Sequence, residues 1–313
     1  MAIARVISLD SGTYTILTDK NETLNLKARG NLRRRTLTKD SAFNKSLNKH
    51  SKKLDTKQVK LSPKVGDLVE YSFNGDTGFI DDILPRKNEL IRPDISNVDQ
   101  ILLIFSAKRP DISYFLLDLF ISNLELNKIK PLIVISKIDL CSDEELNQIK
   151  EEMSYYEDLG YKVFYSNSKV SAPKEIIPYL EGKITVLSGQ TGAGKSTFIN
   201  ALIPGFKLET NDISEALNRG KHTTRRINLY SYFGGLIGDT PGFSKLELFS
   251  TKEELKDTFV EFGKCQCTFR DCMHQHNAKG CGVISELGHS IKQRRYDSYI
   301  KMLEELRDDK YDN

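Results

Sequence analysis

Apolar and polar side chains alternate over the first residues of the chain: Ala4, Val6 and Ser8, then Tyr14, Ile16 and Thr18, with Ser11-Gly12 between the two runs. A period of two predicts half-buried strands joined by a turn. Residues 27–60 break the pattern. Apolar residues become scarce there, Asn, Ser, Thr and Lys dominate, and a mobile loop is expected over 36–58. Strand signals return at Asp67 to Phe73 and at Thr77 to Ile83, with Asn74-Gly75 as the hairpin turn between them. Several short strands around a long insertion predict a small β-barrel over 1–88, with a generic sandwich fragment as the other arrangement.

From residue 98 the rhythm becomes β-α. Ile101 to Phe105 is a continuous apolar run, and Ile112, Phe115, Leu116 and Leu119 then fall at helical spacing. A single acid, Asp118, interrupts the apolar stretch Leu116 to Ile121. Leu132 to Ile135, Val163 to Tyr165, Ile184 to Leu187, Arg226 to Phe233 and Leu236-Ile237 are further strands. Helices are expected at 143–159 and 195–202. Apolar strands alternating with helices predict a mostly parallel sheet covered on both faces, here over 89–247. In such sheets ligands sit at the carboxyl ends of the strands. The tail, 248–313, carries a helix near 251–262, a Cys/His cluster and an amphipathic helix with Tyr296, Tyr299, Ile300, Leu303 and Leu306. The reading is a multi-domain α/β chain.

Composition adds a partner class. The 313 residues suit two domains, or three small ones, at roughly 150 residues each. No apolar run approaches the ~18 residues that span a bilayer, and Arg5 interrupts the only apolar stretch at the N-terminus. A cytoplasmic monomer that does not engage a membrane is expected. The net charge is +3, yet residues 27–60 hold twelve Lys or Arg against two Asp, so the rest of the chain is net acidic. A basic block on an acidic protein points to a polyanion. A barrel of the oligonucleotide-binding (OB) type then fits, its basic loop meeting RNA through phosphates; a merely solvated lysine-rich loop is the plainer alternative.

The candidate chemistry begins at Gly189-Gln190-Thr191-Gly192-Ala193-Gly194-Lys195-Ser196, which fits G-x-x-x-x-G-K-[ST] between an apolar strand and the helical run opening with Thr197. That strand–loop–helix context is what the phosphate-binding loop requires. Its glycines let backbone N–H groups converge on phosphate oxygens. Lys195 would reach the β/γ-phosphates, and the Ser196 hydroxyl would ligate Mg²⁺.

Ser136-Lys137-Ile138-Asp139, at the carboxyl end of the strand Leu132 to Ile135, is close to Asn-Lys-x-Asp. One ionised carboxylate accepts the two adjacent donors of guanine, a pair that adenine lacks. With serine in place of asparagine, one loop-tying hydrogen bond is expected to be lost, worth roughly 0.5–1.5 kcal/mol, and nucleotide affinity is expected to be modest. Ser166-Asn167-Ser168 is a candidate backbone contact to the base. Asp239-Thr240-Pro241-Gly242 resembles D-x-x-G, with Asp239 holding Mg²⁺ through water and the Gly242 N–H sensing the γ-phosphate. Between them, Gly220-Lys221-His222-Thr223-Thr224-Arg225 is a candidate switch loop, Thr223 or Thr224 offering a hydroxyl to Mg²⁺. The base selector thus precedes the phosphate loop, an order that resembles the circularly permuted GTPases.

Five cysteines are present, four of them between Cys265 and Cys281. Crowding beside histidines reads as a metal site in a reducing compartment. Cys267, Cys272, His274 and Cys281 form C-x₄-C-x-H-x₆-C, a closed Cys₃His set for one structural Zn²⁺. His276 could stand for His274, and Cys265 for Cys267. Cys141 reads as a packed thiol.

Taken together the chain resembles the ribosome small-subunit-dependent GTPase A family. The likeness is carried by Lys27 to Arg33, Val65-Gly66-Asp67, Asn97-Val98-Asp99-Gln100, the permuted motifs, Gly220 to Thr224 and the zinc cluster. The resemblance implies an OB barrel, a permuted GTPase domain and a zinc-binding C-terminal domain. It implies late maturation of the small ribosomal subunit, binding to its rRNA, and GTP hydrolysis to GDP that quickens on the subunit. Phe243 stands where many GTPases place the glutamine that orients water, so slow intrinsic turnover is expected. His222 or the ribosome would supply the missing group. Gly192 occupies the place where some potassium-activated GTPases carry asparagine, and no potassium requirement is read. The competing readings are a nucleotide-gated rRNA-binding protein with incidental hydrolysis, and an ATP-using nucleic-acid enzyme, which Asp139 disfavours.

Overall fold

The computed structural model describes residues 2–30, 32, 62–90, 94–167, 173–202, 227–239 and 251–306. The loop expected over 36–58 lies outside them. In chain order the strands are β1 (Ala2–Asp10), β2 (Thr13–Thr18), β3 (Thr23–Ala28), β4 (Leu68–Asn74), β5 (Thr77–Ile83), β6 (Glu89–Leu90), β7 (Ile95–Ser96), β8 (Gln100–Ser106), β9 (Lys130–Ser136), β10 (Lys162–Tyr165), β11 (Ile184–Gly189), β12 (Asn228–Tyr232) and β13 (Gly235–Asp239). The helices are α1 (Tyr114–Leu126), α2 (Asp143–Asp158), α3 (Ile177–Leu180), α4 (Lys195–Leu202), α5 (Lys252–Asp257), α6 (Gly282–Ser285) and α7 (Gln293–Glu305). No helix among the described residues is long and apolar enough to cross a membrane.

The chain forms two compact units. One comprises Met1–Leu102, Val170–Ser188 and Lys195–Phe243; the other comprises Leu103–Lys169, Gly189–Gly194 and Ser244–Asn313. The first unit contains a closed five-stranded barrel. β1 pairs antiparallel with β2, β2 with β3 and β4 with β5; β3 runs parallel to β5, and β4 returns to β1 with Ala2 opposite Tyr71. Closure leaves no sheet edge unpaired around the ring. The alternation read from the sequence places Val6, Ile16, Leu26, Val69 and Ile80 inside. A register shift between Val6 and Ser8 bends β1, whose far end meets β12 at Ser8 and Asn228.

The segment leaving the barrel is stapled by charge. Arg86 holds the fully buried Asp67 through Nε at 2.8 Å and Nη2 at 2.7 Å, and reaches Glu89 through Nη1 at 2.7 Å. The Ser96 hydroxyl adds a third donor to Asp67. Further on, Asp99 accepts the Ile184 N–H at 2.8 Å and fixes the start of β11. β11 runs parallel to β13, and β12 runs antiparallel to β13. The two-residue turn Phe233-Gly234 dictates that reversal, because a parallel return needs a crossover of a dozen residues.

In the second unit β8, β9 and β10 lie side by side, with β9 and β10 parallel. β9 is buried from Pro131 to Ser136. Phe105 meets Phe120 of α1 edge-on at 5.9 Å. The tail in the same unit has its own core, in which Phe259, Phe262, Tyr296, Tyr299, Met302 and Leu303 cluster with Leu119 of α1. The helix expected over 251–262 is shorter: α5 stops at Asp257 and a 3₁₀ turn follows at Phe262–Lys264. Thr258 turns its hydroxyl back to the Leu255 carbonyl at 2.7 Å, competing with continued helix.

Candidate functional site

β11, buried along its whole length, delivers the glycine-rich loop. Gly189 has φ +120°, and a Cβ there would lie 2.2 Å from the Ile104 carbonyl oxygen, so only glycine lets the loop leave the strand beside β8. Gln190 donates from its backbone to Ile104 O at 3.0 Å and from Nε2 to Asp111 O at 2.7 Å. Ala193 is fully buried, while Thr191 and Gly192 are exposed. Lys195, Ser196 and Thr197 form the first turn of α4, which is anchored by the buried Phe198, Ile199 and Leu202. The first N–H groups of a helix have no intrahelical partner and favour an anion.

The segment Ser136-Lys137-Ile138-Asp139 comes directly against this loop. Ser136 Oγ donates to Ala193 O at 2.6 Å and lies 3.2 Å from Phe105 O. A hydroxyl carries one proton, so the short contact is the one it satisfies. The tie expected to be lost with serine is therefore made, because the end of β9 passes close enough for the shorter side chain to reach. Lys137, in the left-handed region at φ 58°, extends Nζ to Gly192 O at 2.6 Å and Arg109 O at 2.5 Å. Ile138 and Asp139 form a 3₁₀ turn whose first N–H reaches Ser166 O at 3.3 Å, and Ser166 N–H binds Ile135 O at 2.8 Å. Residues 136–139, 166 and 189–194 are thus gathered at one set of strand ends. Burial, followed by nearby Glu145, pushes the thiol of the half-buried Cys141 up.

Asp239 is the last residue of β13, in register with Leu187, two residues before the glycine-rich loop. Ser168, His222, Thr223, Thr224 and Gly242 lie outside the described residues. The sequence reading missed the carbonyls of Ile104 and Asp111, which hold the loop through Gln190, and the carbonyl of Arg109, which holds Lys137. Backbone acceptors leave no residue-type signal.

The Cys/His cluster is assembled in the second unit. The ligand atoms of Cys267, Cys272, His274 and Cys281 all lie within 4.8 Å of one another. Cys267 Sγ is 3.8 Å from Cys281 Sγ and 3.6 Å from His274 Nδ1, which is 3.4 Å from Cys281 Sγ. Zinc bonds of about 2.3 Å to sulfur and 2.0–2.1 Å to nitrogen give tetrahedral edges of about 3.8 and 3.6 Å. The cluster fits that ion. Of the two alternatives, Cys265 Sγ faces Glu261 O at 3.8 Å and the His276 ring packs edge-on against Tyr296.

Burial and the charge of Lys256 hold the His274 imidazole below its usual 6.5, which keeps it neutral and able to ligate. Burial pushes the Cys281 thiol up to about 12, and a bound dication would make several thiolates tolerable there. Tyr296 and Tyr299 donate to the carbonyls of His274 and Met273, both at 2.7 Å, and fix the ligand loop. Both tyrosines read from sequence only as an apolar helix face. At Gly280, φ is +64° and a Cβ would lie 2.2 Å from Thr268 Oγ1, so glycine is what closes the return to Cys281.

A glycine-rich loop after one strand, a lysine-aspartate segment after another, and an aspartate ending a third, with the lysine-aspartate segment first in the chain, mark a circularly permuted GTP hydrolase. Residues 83–249 match the family model described as RsgA GTPase, and the chain belongs to that family. It is 39% identical over 312 residues to the small ribosomal subunit biogenesis GTPase RsgA 2 of Oceanobacillus iheyensis, covering 98% of each chain. To the Bacillus subtilis protein named small ribosomal subunit biogenesis GTPase RsgA it is 43% identical over 258 residues, covering 80% of this chain and 86% of that one. Among solved structures, YjeQ from Thermotoga maritima superposes with a TM-score of 0.77 at 33% identity, covering 97% and 98% of the two chains. YloQ, described as a circularly permuted GTPase, gives 0.73 at 33% identity, covering 97% and 94%.

Proposed function

We propose that the protein binds the small ribosomal subunit, acts late in its maturation, and hydrolyses GTP to GDP and phosphate with turnover stimulated by the subunit. The observation that carries the guanine-specific part is the seating of the selector segment on the phosphate loop, Ser136 on Ala193 and Lys137 on Gly192. Asp139 accepts the paired donors of guanine, with Ser166 contributing backbone beside it. The backbone of Gly189 to Gly194 and the side chain of Lys195 hold the phosphates, with Thr197 in the same helical turn. Mg²⁺ would be held by Ser196, Thr223 and Asp239, and supplies charge at the β/γ-phosphates. Gly242 and Thr224 complete the γ-phosphate side.

Cys267, Cys272, His274 and Cys281 would hold one structural Zn²⁺, which rigidifies the tail. The barrel and the basic stretch within 27–60 meet rRNA through its phosphates, so binding weakens steeply with salt. The division into residues 1–88, 89–247 and 248–313, a monomeric state and a cytoplasmic location belong to the same reading.

Multiple-turnover hydrolysis of GTP and ATP, with and without small ribosomal subunits, tests it. The expected result is slow turnover of GTP alone, marked stimulation by subunits, and no competition from ATP. Equal use of ATP overturns the guanine assignment. Absence of stimulation favours a nucleotide-gated RNA-binding protein instead. If His222 supplies the catalytic group, His222→Ala abolishes the stimulated rate; an unchanged rate assigns that group to the ribosome.

A further inference from the structure

Asp118 interrupts the apolar run Leu116 to Ile121 of helix α1 and is fully buried. Two elements converge on its Oδ1: Tyr156 of α2 donates at 2.6 Å and Arg295 of α7 at 2.7 Å. Arg295 is itself wholly buried. It reaches Glu261 through Nε at 2.8 Å, and its guanidinium lies 4.3 Å from the centre of the Phe259 ring. At the edge, Arg294 donates to Asp118 Oδ2 at 3.3 Å and to Tyr156 Oη at 3.2 Å. Arg294 and Lys292 both grip Glu152 on the next turn of α2.

Stability alone does not account for this arrangement. Arg295 Nη2 and Glu261 Oε2 are buried without a hydrogen-bond partner among the described residues. A buried ion pair seldom outperforms well-packed apolar residues of the same volume. What it supplies is register, since sliding one helix past another would strand a buried charge. Register matters for α2 because of what lies at its other end. Its N-cap, Ser142, follows the 3₁₀ turn Ile138–Leu140 that carries Asp139. Glu145, in its first turn, closes the capping box with Ser142 and pairs with Lys108 at 2.5 Å. The neighbouring Arg109 carbonyl is the one that Lys137 grips.

We infer that Asp118, which accepts from Tyr156 and Arg295, and Arg294, which joins Asp118 to Glu152, are positioning residues for guanine selection: they fix α2 lengthwise, and α2 fixes the turn that carries Asp139. The inference rests on Asp139 being the base selector. It is tested on the full chain by the ratio of IDP to GDP dissociation constants. The two ligands share their phosphates and differ only in the exocyclic amine that the selector reads.

Asp118→Asn lowers that ratio about tenfold, and Tyr156→Phe and Glu152→Gln lower it about threefold, within the range of coupling that remote substitutions exert. A merely structural role would instead lower the melting temperature and weaken both ligands equally, leaving the ratio unchanged. That result in Tyr156→Phe and Glu152→Gln, the two mild variants, overturns the inference even if Asp118→Asn fails to fold. A wild-type ratio near one removes the base-selector reading itself, and this inference with it.

Discussion

The Ser136 hydroxyl donates to the Ala193 carbonyl at 2.6 Å, joining the end of β9 to the phosphate loop fifty-seven residues further along the chain. Removing it leaves the buried Ala193 carbonyl without this donor. Ser136→Ala is expected to weaken GDP binding by about 0.5–1.5 kcal/mol, roughly 2- to 12-fold, measured by equilibrium titration with a fluorescent GDP analogue. Affinity equal to wild type would show that the contact does not hold the loop for nucleotide.

Asp139→Asn reverses hydrogen-bond polarity at the selector. An amide N–H₂ meets the carbonyl that xanthine carries where guanine has its amine. GTP affinity falls by about 10- to 100-fold, the worth of a charged hydrogen-bonded contact, while XTP affinity rises. Competition between GTP, XTP and ATP for the same site reads both changes. Retention of the wild-type order would remove Asp139 from base recognition.

One zinc ion per chain is expected from elemental analysis of the purified protein. Cys272→Ser lowers that content and lowers the melting temperature by about 5–10 °C, taking a loss of about 2.5 kcal/mol and the 2–4 °C per kcal/mol of domains of about 150–250 residues. Cys265→Ser and Cys141→Ser leave the metal content unchanged, since neither thiol belongs to the four-atom cluster. Loss of zinc in Cys265→Ser would redraw the ligand set.

Glu89, at the barrel exit, is expected to contribute to acid sensitivity. Burial opposes the charge on Glu89, but Lys64 and Arg86, each donating at 2.7 Å, outweigh it and hold the carboxyl below its usual 4.5. A carboxyl depressed in the folded state contributes stability that is present above 4.5 and lost as pH falls through that value toward the folded one. Glu89→Gln therefore lowers the melting temperature near neutrality and flattens its decline between about pH 5 and pH 3. An unchanged slope would place the acid-labile contribution elsewhere.

Much of this protein was legible in its residues because local physics wrote it there. The period of two around Val6 and Ile16, and the continuous apolar runs at Ile101 to Phe105 and Leu132 to Ile135, follow from which faces each strand buries. Gly189 to Ser196, Asp139 and the Cys267, Cys272, His274 and Cys281 set could be named as candidates because phosphate, guanine and zinc each demand particular atoms at short spacing. Tertiary structure alone decided the long-range pairings. Ser136 reaches Ala193, Arg86 locks Asp67, His274 rather than His276 faces the cysteines, and Asp118 inside an apolar run of α1 finds Arg295. A sequence states which groups need a partner. Which partner lies within about 3 Å depends on how distant elements pack, and no local periodicity encodes that distance.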